Sequence, residues 1–157
     1  MTLDDASFAY QLMNEPAWLQ NIGDRGVRSI ADARSYIESR MIQMYRTVGF
    51  GMYLVELKAT SVPIGFCGLV QRESLTAPDI GFALMPQYRC SGYAHEAAGA
   101  VMRHAAQQLG LAKLFAIVAP GNERSCRLLQ RLGFVCEGVF RPDPDDMELK
   151  LYAVVLP

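Results

Sequence analysis

The chain has 157 residues, of which 51% are hydrophobic and 20% charged. That is one domain's worth of polypeptide with enough apolar mass for a core, which excludes a disordered tail and a disulfide-held miniprotein. Fifteen Lys and Arg against 16 Asp and Glu leave a net charge of -1, so no global positive field exists to hold nucleic acid or an anionic membrane.

Residues 5 to 14 read as a short helix, with Phe8, Leu12 and Met13 at helical spacing, Asp4 or Asp5 as cap, and Asn14-Glu15-Pro16 as its end. A second helical stretch covers 30 to 46, with Tyr36, Ile37, Met41 and Met44 as apolar face. Ser29 and Asp32 open it as an approximate capping box. Gly49 and Gly51 break it. Strands are then expected over 52 to 57 and 64 to 70, joined as a β-hairpin, and over 79 to 85, stopped by Pro86. The clearest helix follows, with Ala94, Ala97, Ala98, Val101, Met102, Ala105 and Leu109 at i, i+3, i+4, i+7 and Gly110 as its stop. An apolar strand over 113 to 119, a helix over 123 to 132 and strands over 134 to 140 and 147 to 155 complete the chain. An acidic, proline-rich loop, 141 to 146, lies between the last two. No linker or repeat divides residues 1 to 157, so a single domain is expected. Antiparallel pieces flanking one β-α-β crossover imply an α+β fold with a mixed, mostly antiparallel sheet.

Cys67, Cys90, Cys126 and Cys136 form no CxxC pair, and the only histidines are His95 and His104, so no metal site is expected. The four cysteines read as buried thiols of a reducing compartment. Met1-Thr2-Leu3-Asp4 has neither the basic nor the apolar part of a signal peptide, and no apolar run nears the roughly 20 residues that span a bilayer. The expected location is the cytoplasm, with no membrane partner.

The segment from Gly81 to Ala94 runs strand, small-residue loop, helix start. Backbone N–H groups at such a start are unpaired and the helix dipole adds partial positive charge, which suits a pyrophosphate. Gly92 allows close approach and Ala94 avoids a clash in the first turn. The loop ends Gly-Tyr-Ala rather than Gly-Lys-Ser/Thr, and the chain has no GxGxxG, so the Walker and dinucleotide loops are excluded.

Arg89-Cys90-Ser91-Gly92-Tyr93-Ala94, between a strand ending at Pro86 and an alanine-rich helix, resembles the acetyl-CoA loop of the GNAT superfamily of N-acetyltransferases. Asn122-Glu123-Arg124-Ser125, followed by Leu132-Gly133-Phe134, is similar to a second stretch of that family. The branch it most resembles holds the ribosomal-protein N-terminal (Rim-type) acetyltransferases, which carry Ser where this chain has Ser125 and Glu-Ala like Glu96-Ala97. The resemblance implies a GNAT-like fold whose first strand is here absent or shortened, because Met1 falls where that strand ends. It implies acetyl-CoA as cosubstrate, no metal, and direct attack by a primary amine. It places the cofactor against Arg89 to Ala94 and Asn122. It also implies a strand that splays from its neighbour and offers free backbone groups at Leu84 and Met85 to the pantetheine arm. Ser125, with Asn122, would carry the catalytic role. In other branches a tyrosine stands four residues before the Gly-Phe pair; Leu129 is there instead, so the acid is Ser125 or no residue.

The residues leave plainer readings open. Asn122 is a helix N-cap, a cofactor contact, or both, and Ser125 is an acid or a first-turn residue that bonds only backbone. Cys126 reads as packed rather than nucleophilic, and His95 as solvated. Glu73, Asp79, Glu148 and the loop 141 to 146 are candidates for handling the amine. Arg124, Arg127 and Arg131 read as a solvated face rather than a nucleic-acid strip. The acceptor is a protein N-terminus or a small amine such as a polyamine or aminoglycoside, met at a mouth formed by 18 to 32 and 141 to 146. A non-catalytic acyl-CoA sensor needs the same loop. An unpaired sheet edge leaves a homodimer open.

Overall fold

The structure is a computed structural model that describes residues 1–142 and 147–157. Acidic Asp143, Asp145 and Asp146 of the proposed mouth lie outside the described residues. The chain enters through a 3-10 turn, Leu3–Asp5, into α1 (Ala6–Met13). Asp5 does not cap α1; its carboxylate reaches back to the Thr2 amide at 2.6 Å. The next element was not expected. α1 does end before Asn14-Glu15-Pro16, as expected, but Pro16 also opens α2 (Pro16–Asn21), and the Glu15 carboxylate caps it by accepting from the amides of Ala17 (3.0 Å) and Trp18 (3.3 Å). Proline at a first helical position loses no hydrogen bond, so it starts a helix as readily as it stops one.

The long helical stretch begins as expected at Ser29, whose hydroxyl accepts from the Asp32 amide. It runs as α3 (Ile30–Tyr36), a π segment (Ile37–Ile42) and α4 (Gln43–Val48), ending on left-handed Gly49. Tyr45 then ties α4 to the sheet: its hydroxyl donates to the Met52 carbonyl and its ring stacks on Tyr53.

Among the described residues six strands form one mixed sheet: β1 (Met52–Glu56), β2 (Pro63–Val70), β3 (Asp79–Leu84), β4 (Lys113–Val118), β5 (Val135–Phe140) and β6 (Leu149–Val155), in the order β1-β2-β3-β4-β6-β5. Every neighbour pair is antiparallel except β3 and β4, which are parallel and joined through α5 (Tyr93–Gln107). The expected β-α-β crossover is therefore present. Helix α6 (Glu123–Arg131) links β4 to β5. No strand precedes β1 among the described residues, so β1 and β5 are the sheet's edges.

Ala98, Val101 and Ala105 of α5 and Cys126 and Leu129 of α6 share one core with Cys67, Leu69, Leu114, Ala116 and Tyr152 of the sheet. The other face is covered unevenly. Leu12, Met13, Trp18, Ala33, Ile37 and Met41 close over Phe66 beneath the first half of the sheet, whereas Phe115 and Ala153 in the second half form a small cluster with Leu75, packed against by Ala77, Ile117, Phe140 and Leu151. Not all the thiols are buried: Cys67 and Cys126 are, but Cys90 and Cys136 are exposed, one in a loop and one on an edge strand. No helix among the described residues is long and apolar enough to cross a membrane.

Candidate functional site

The sheet is well paired on both sides of one seam. β2 and β3 stay in register from Val70↔Asp79 to Gly65↔Leu84, and β4 and β6 from Lys113↔Val155 to Val118↔Lys150. Between β3 and β4 a single pair, Asp79↔Phe115, holds the parallel ladder, with the Phe115 amide on the Pro78 carbonyl at 2.9 Å. Past that pin the two strands form no further pair among the described residues, and both run toward helix starts at the same end of the sheet. Ligands of α/β sheets settle at such carboxyl-end crevices.

The Met85 amide donates to Ile64 at 2.9 Å, and the Met85 carbonyl accepts from Tyr88 at 3.0 Å. The Met85 backbone is therefore not free, contrary to the expectation. The alternation of an antiparallel ladder turns the Leu84 and Phe82 backbone groups the other way, into the seam. The Leu84 carbonyl there accepts from Arg89 Nε at 2.9 Å, which leaves its N–H.

Beyond β3, a 3-10 turn (Pro86–Tyr88) leads into the loop. Cys90 and Gly92 both have positive φ, 62° and 88°, so the backbone curls tightly before α5. Gly92 is the N-cap of α5 and has no side chain to cap with. The first intrahelical bond runs from the Glu96 amide to the Gly92 carbonyl. The amides of residues 90 to 95 therefore have no acceptor among the described residues, and open space surrounds Gly92 where a Cβ would stand. Six donors around a left-handed turn, at a positive helix end, fit a phosphate-bearing ligand. Ser91 is exposed, Tyr93 and Ala94 half-buried, and the Tyr93 ring meets Tyr88 edge-on across the loop.

Arg89 serves this site differently from its neighbours. Its guanidinium turns inward, to the Leu84 carbonyl and to Glu15 Oε2 at 2.5 Å, rather than toward the open side of the loop.

Across the seam, Asn122 Oδ1 accepts the Ser125 amide at 3.2 Å, so Asn122 is an N-cap and its oxygen is committed. The half-buried Ser125 hydroxyl bonds no described residue and is free to meet a ligand. Behind it Cys126 is buried, with Lys150 Nζ at 3.8 Å from its sulfur and 3.3 Å from Glu123 Oε1. The Cys126 thiol and burial push the Tyr152 phenol up to about 12, so it stays protonated at neutral pH.

The other acidic candidates divide. Asp79 is 2% exposed and sits at the pinned end of the seam, away from the loop, held by Arg72 at 2.7 Å. Burial pushes its carboxyl up while Arg72 pulls it down. Glu148 pairs with Arg141 on the surface at 2.6 Å, and Glu73 is exposed. On the mouth segment, hydrogen bonding to Arg28 holds Asp24 down at about 2, and Asp32 accepts from the Arg28 and Ser29 groups. Arg124, Arg127 and Arg131 are exposed, as expected of a solvated face. Sequence reasoning missed Glu15 and Trp18. The Glu-Pro pair was the available signal for the first. Nothing in the sequence marks the buried Trp18 indole N–H, which has no acceptor among the described residues.

Residues 1–135 match the family model described as an acetyltransferase (GNAT) domain. The chain is 28% identical over 163 residues to the uncharacterized N-acetyltransferase YoaA of Bacillus subtilis, covering 100% of this chain and 91% of that one. Among solved structures, the ribosomal L7/L12 α-N-protein acetyltransferase RimL, in complex with coenzyme A, superposes with a TM-score of 0.83 at 21% identity, over 99% of this chain and 91% of that one. A spermidine N-acetyltransferase SpeG chimera from Vibrio cholerae and hSSAT gives 0.78 at 18% identity, over 99% and 92%. The expected fold holds, and Rim-type acetyltransferases are among the solved structures that share it. A left-handed glycine at an uncapped helix start, a seam open toward it, and a family match over most of the residues converge: the chain belongs to the GNAT acetyltransferase family.

Proposed function

We propose that the protein transfers the acetyl group of acetyl-CoA to a primary amine, and that the amine is a protein N-terminus. The observation that carries this is the set of acceptor-less amides from Cys90 to His95 around Gly92, at the open end of the seam. In this reading those amides hold the pyrophosphate, and the Leu84 and Phe82 backbone groups pair with the pantetheine arm like an added strand. A neutral amine attacks the thioester carbonyl; the N–C bond forms, the C–S bond breaks, and the nitrogen gives up a proton to water. The Leu84 N–H faces the developing oxyanion, and the Ser125 hydroxyl supplies a proton to the departing thiolate and regains one from water. Much of the rate comes from holding the two reactants together, worth on the order of 7–11 kcal/mol in well-oriented systems.

The acceptor is argued from charge and likeness. Asp24, Asp32 and Glu15 near the mouth are each engaged by Arg28, by backbone amides or by Arg89, so the described part of the mouth has no free acidic surplus for a polycation. The likeness to RimL supports a protein N-terminus. The likeness to SpeG supports a polyamine as the second reading. The test is free-thiol release from acetyl-CoA with N-terminal peptides, polyamines and aminoglycosides. Release with peptides that is lost in Gly92→Glu supports the proposal, and release with spermidine alone moves the acceptor to polyamines. Tight CoA binding without release for any amine makes the protein an acyl-CoA sensor. The absence of CoA binding overturns the reading.

A further inference from the structure

We infer that Glu15 is a positioning residue for the phosphate loop, acting through Arg89; the inference rests on the reading that this loop binds CoA. One carboxylate oxygen, Glu15 Oε2, gathers three donors: the amides of Ala17 and Trp18 and the Arg89 guanidinium. The same guanidinium reaches the carbonyl of Leu84, the last residue of β3. One side chain thus joins the start of the loop, the seam end of β3 and the first turn of α2, across 74 positions of sequence. The pair is well shielded, with the Glu15 side chain 13% exposed and that of Arg89 27%, so it is less screened than a surface ion pair. The negative charge also sits at the favourable end of α2.

Two consequences of this arrangement oppose each other. The pair fixes Arg89, from which the backbone enters the left-handed turns at Cys90 and Gly92, and so pre-orders the amides that take the phosphates. It also neutralises a positive charge beside an anion site, which by Coulomb attraction alone would bind CoA better if freed. The assignment requires the first effect to win, and the sign of the change in affinity reads out which does.

Glu15→Gln separates the roles, since its amide oxygen still accepts from the α2 amides while the charge on Arg89 goes unmatched. The expected result is a rise of about tenfold in the Kd for CoA by calorimetry, the loss of roughly one charged hydrogen bond. KM for acetyl-CoA rises in step, kcat at saturation changes little, and hydrogen exchange quickens over residues 89 to 95. Glu15→Asp, which keeps the charge, restores most of the affinity. Arg89→Lys, which loses the two-pronged grip, weakens CoA as Glu15→Gln does, and it decides the matter if Glu15→Gln fails to fold. Unchanged or tighter CoA binding in a folded Glu15→Gln, or wild-type affinity in Arg89→Lys, overturns the positioning role while leaving the acetyltransferase reading intact. A wild-type protein that binds no CoA overturns both.

Discussion

β3 with α5 and β4 with α6 are the same construction used twice. Each is a strand of the parallel pair running into a helix, and both helix starts lie at one end of the sheet. They differ in what becomes of the helix amides. At α6, Asn122 is the cap; the amides of Asn122, Glu123 and Ser125 find acceptors in Ala119, Gly121 and the Asn122 side chain. At α5 the cap is Gly92, which has nothing to offer, and the amides stay open. A helix end satisfied by its own chain is structure, whereas one left unsatisfied is a place for an anion. The open seam then separates a donor set that awaits a ligand from a hydroxyl, Ser125, left free because the cap took its amide and not its side chain.

The comparison can be broken most severely by giving α5 the cap it lacks. Gly92→Asp places a carboxylate among the open amides, and CoA affinity by calorimetry should fall about a hundredfold or more, the loss of one or two charged hydrogen bonds. Retained affinity would show that these amides do not hold the phosphates. The pin between the two units comes next. Arg72→Ala leaves the buried Asp79 carboxylate unmatched and should cost about 3 kcal/mol in urea unfolding. Asp79 also makes a pH signature. Its carboxyl is raised above 3.8 in the folded protein, so the folded state binds more protons than the unfolded one in the window above that value. Stability therefore declines as pH rises through that window, and Asp79→Asn should flatten the decline. On the α6 side, Ser125→Ala should lower kcat by up to about a hundredfold with the Kd for CoA unchanged, because a thiolate leaves readily and general acid help is at its weakest there. Unaltered turnover would remove Ser125 from the chemistry. The smallest effect belongs to the satisfied cap: Asn122→Ala should cost about 1 kcal/mol and lower Tm by roughly 2–4 °C.

Much of this was legible in the residues. The helical stripe from Ala94 to Leu109 and the apolar run of β2 announce themselves, because one periodicity fits each. The loop was legible because Gly92 stands where a helix begins, and the family resemblance supplied the seam. The mistakes share a cause. Glu15-Pro16 carries equal local support as an end and as a beginning, and only the packing of Trp18 against Phe66, edge-on at 6.2 Å, makes a second helix worth forming. Met85 was paired with Leu84 as a free backbone, but which of two adjacent residues faces a seam depends on strand register, and that is set by Ile64 on another strand. Asp79 was a candidate for the amine until its register put it at the pinned end.

The sequence by itself determined the elements other than α2, the mixed fold and the uncapped start of α5, since propensity, periodicity and capping act over a few residues. Only the tertiary structure decided that β3 and β4 meet at a single pair and that Arg89 turns inward to Glu15. Each of these depends on contacts between residues far apart in the chain. Such contacts form only when burial of the two cores sets the strands in register, and no local preference encodes that register.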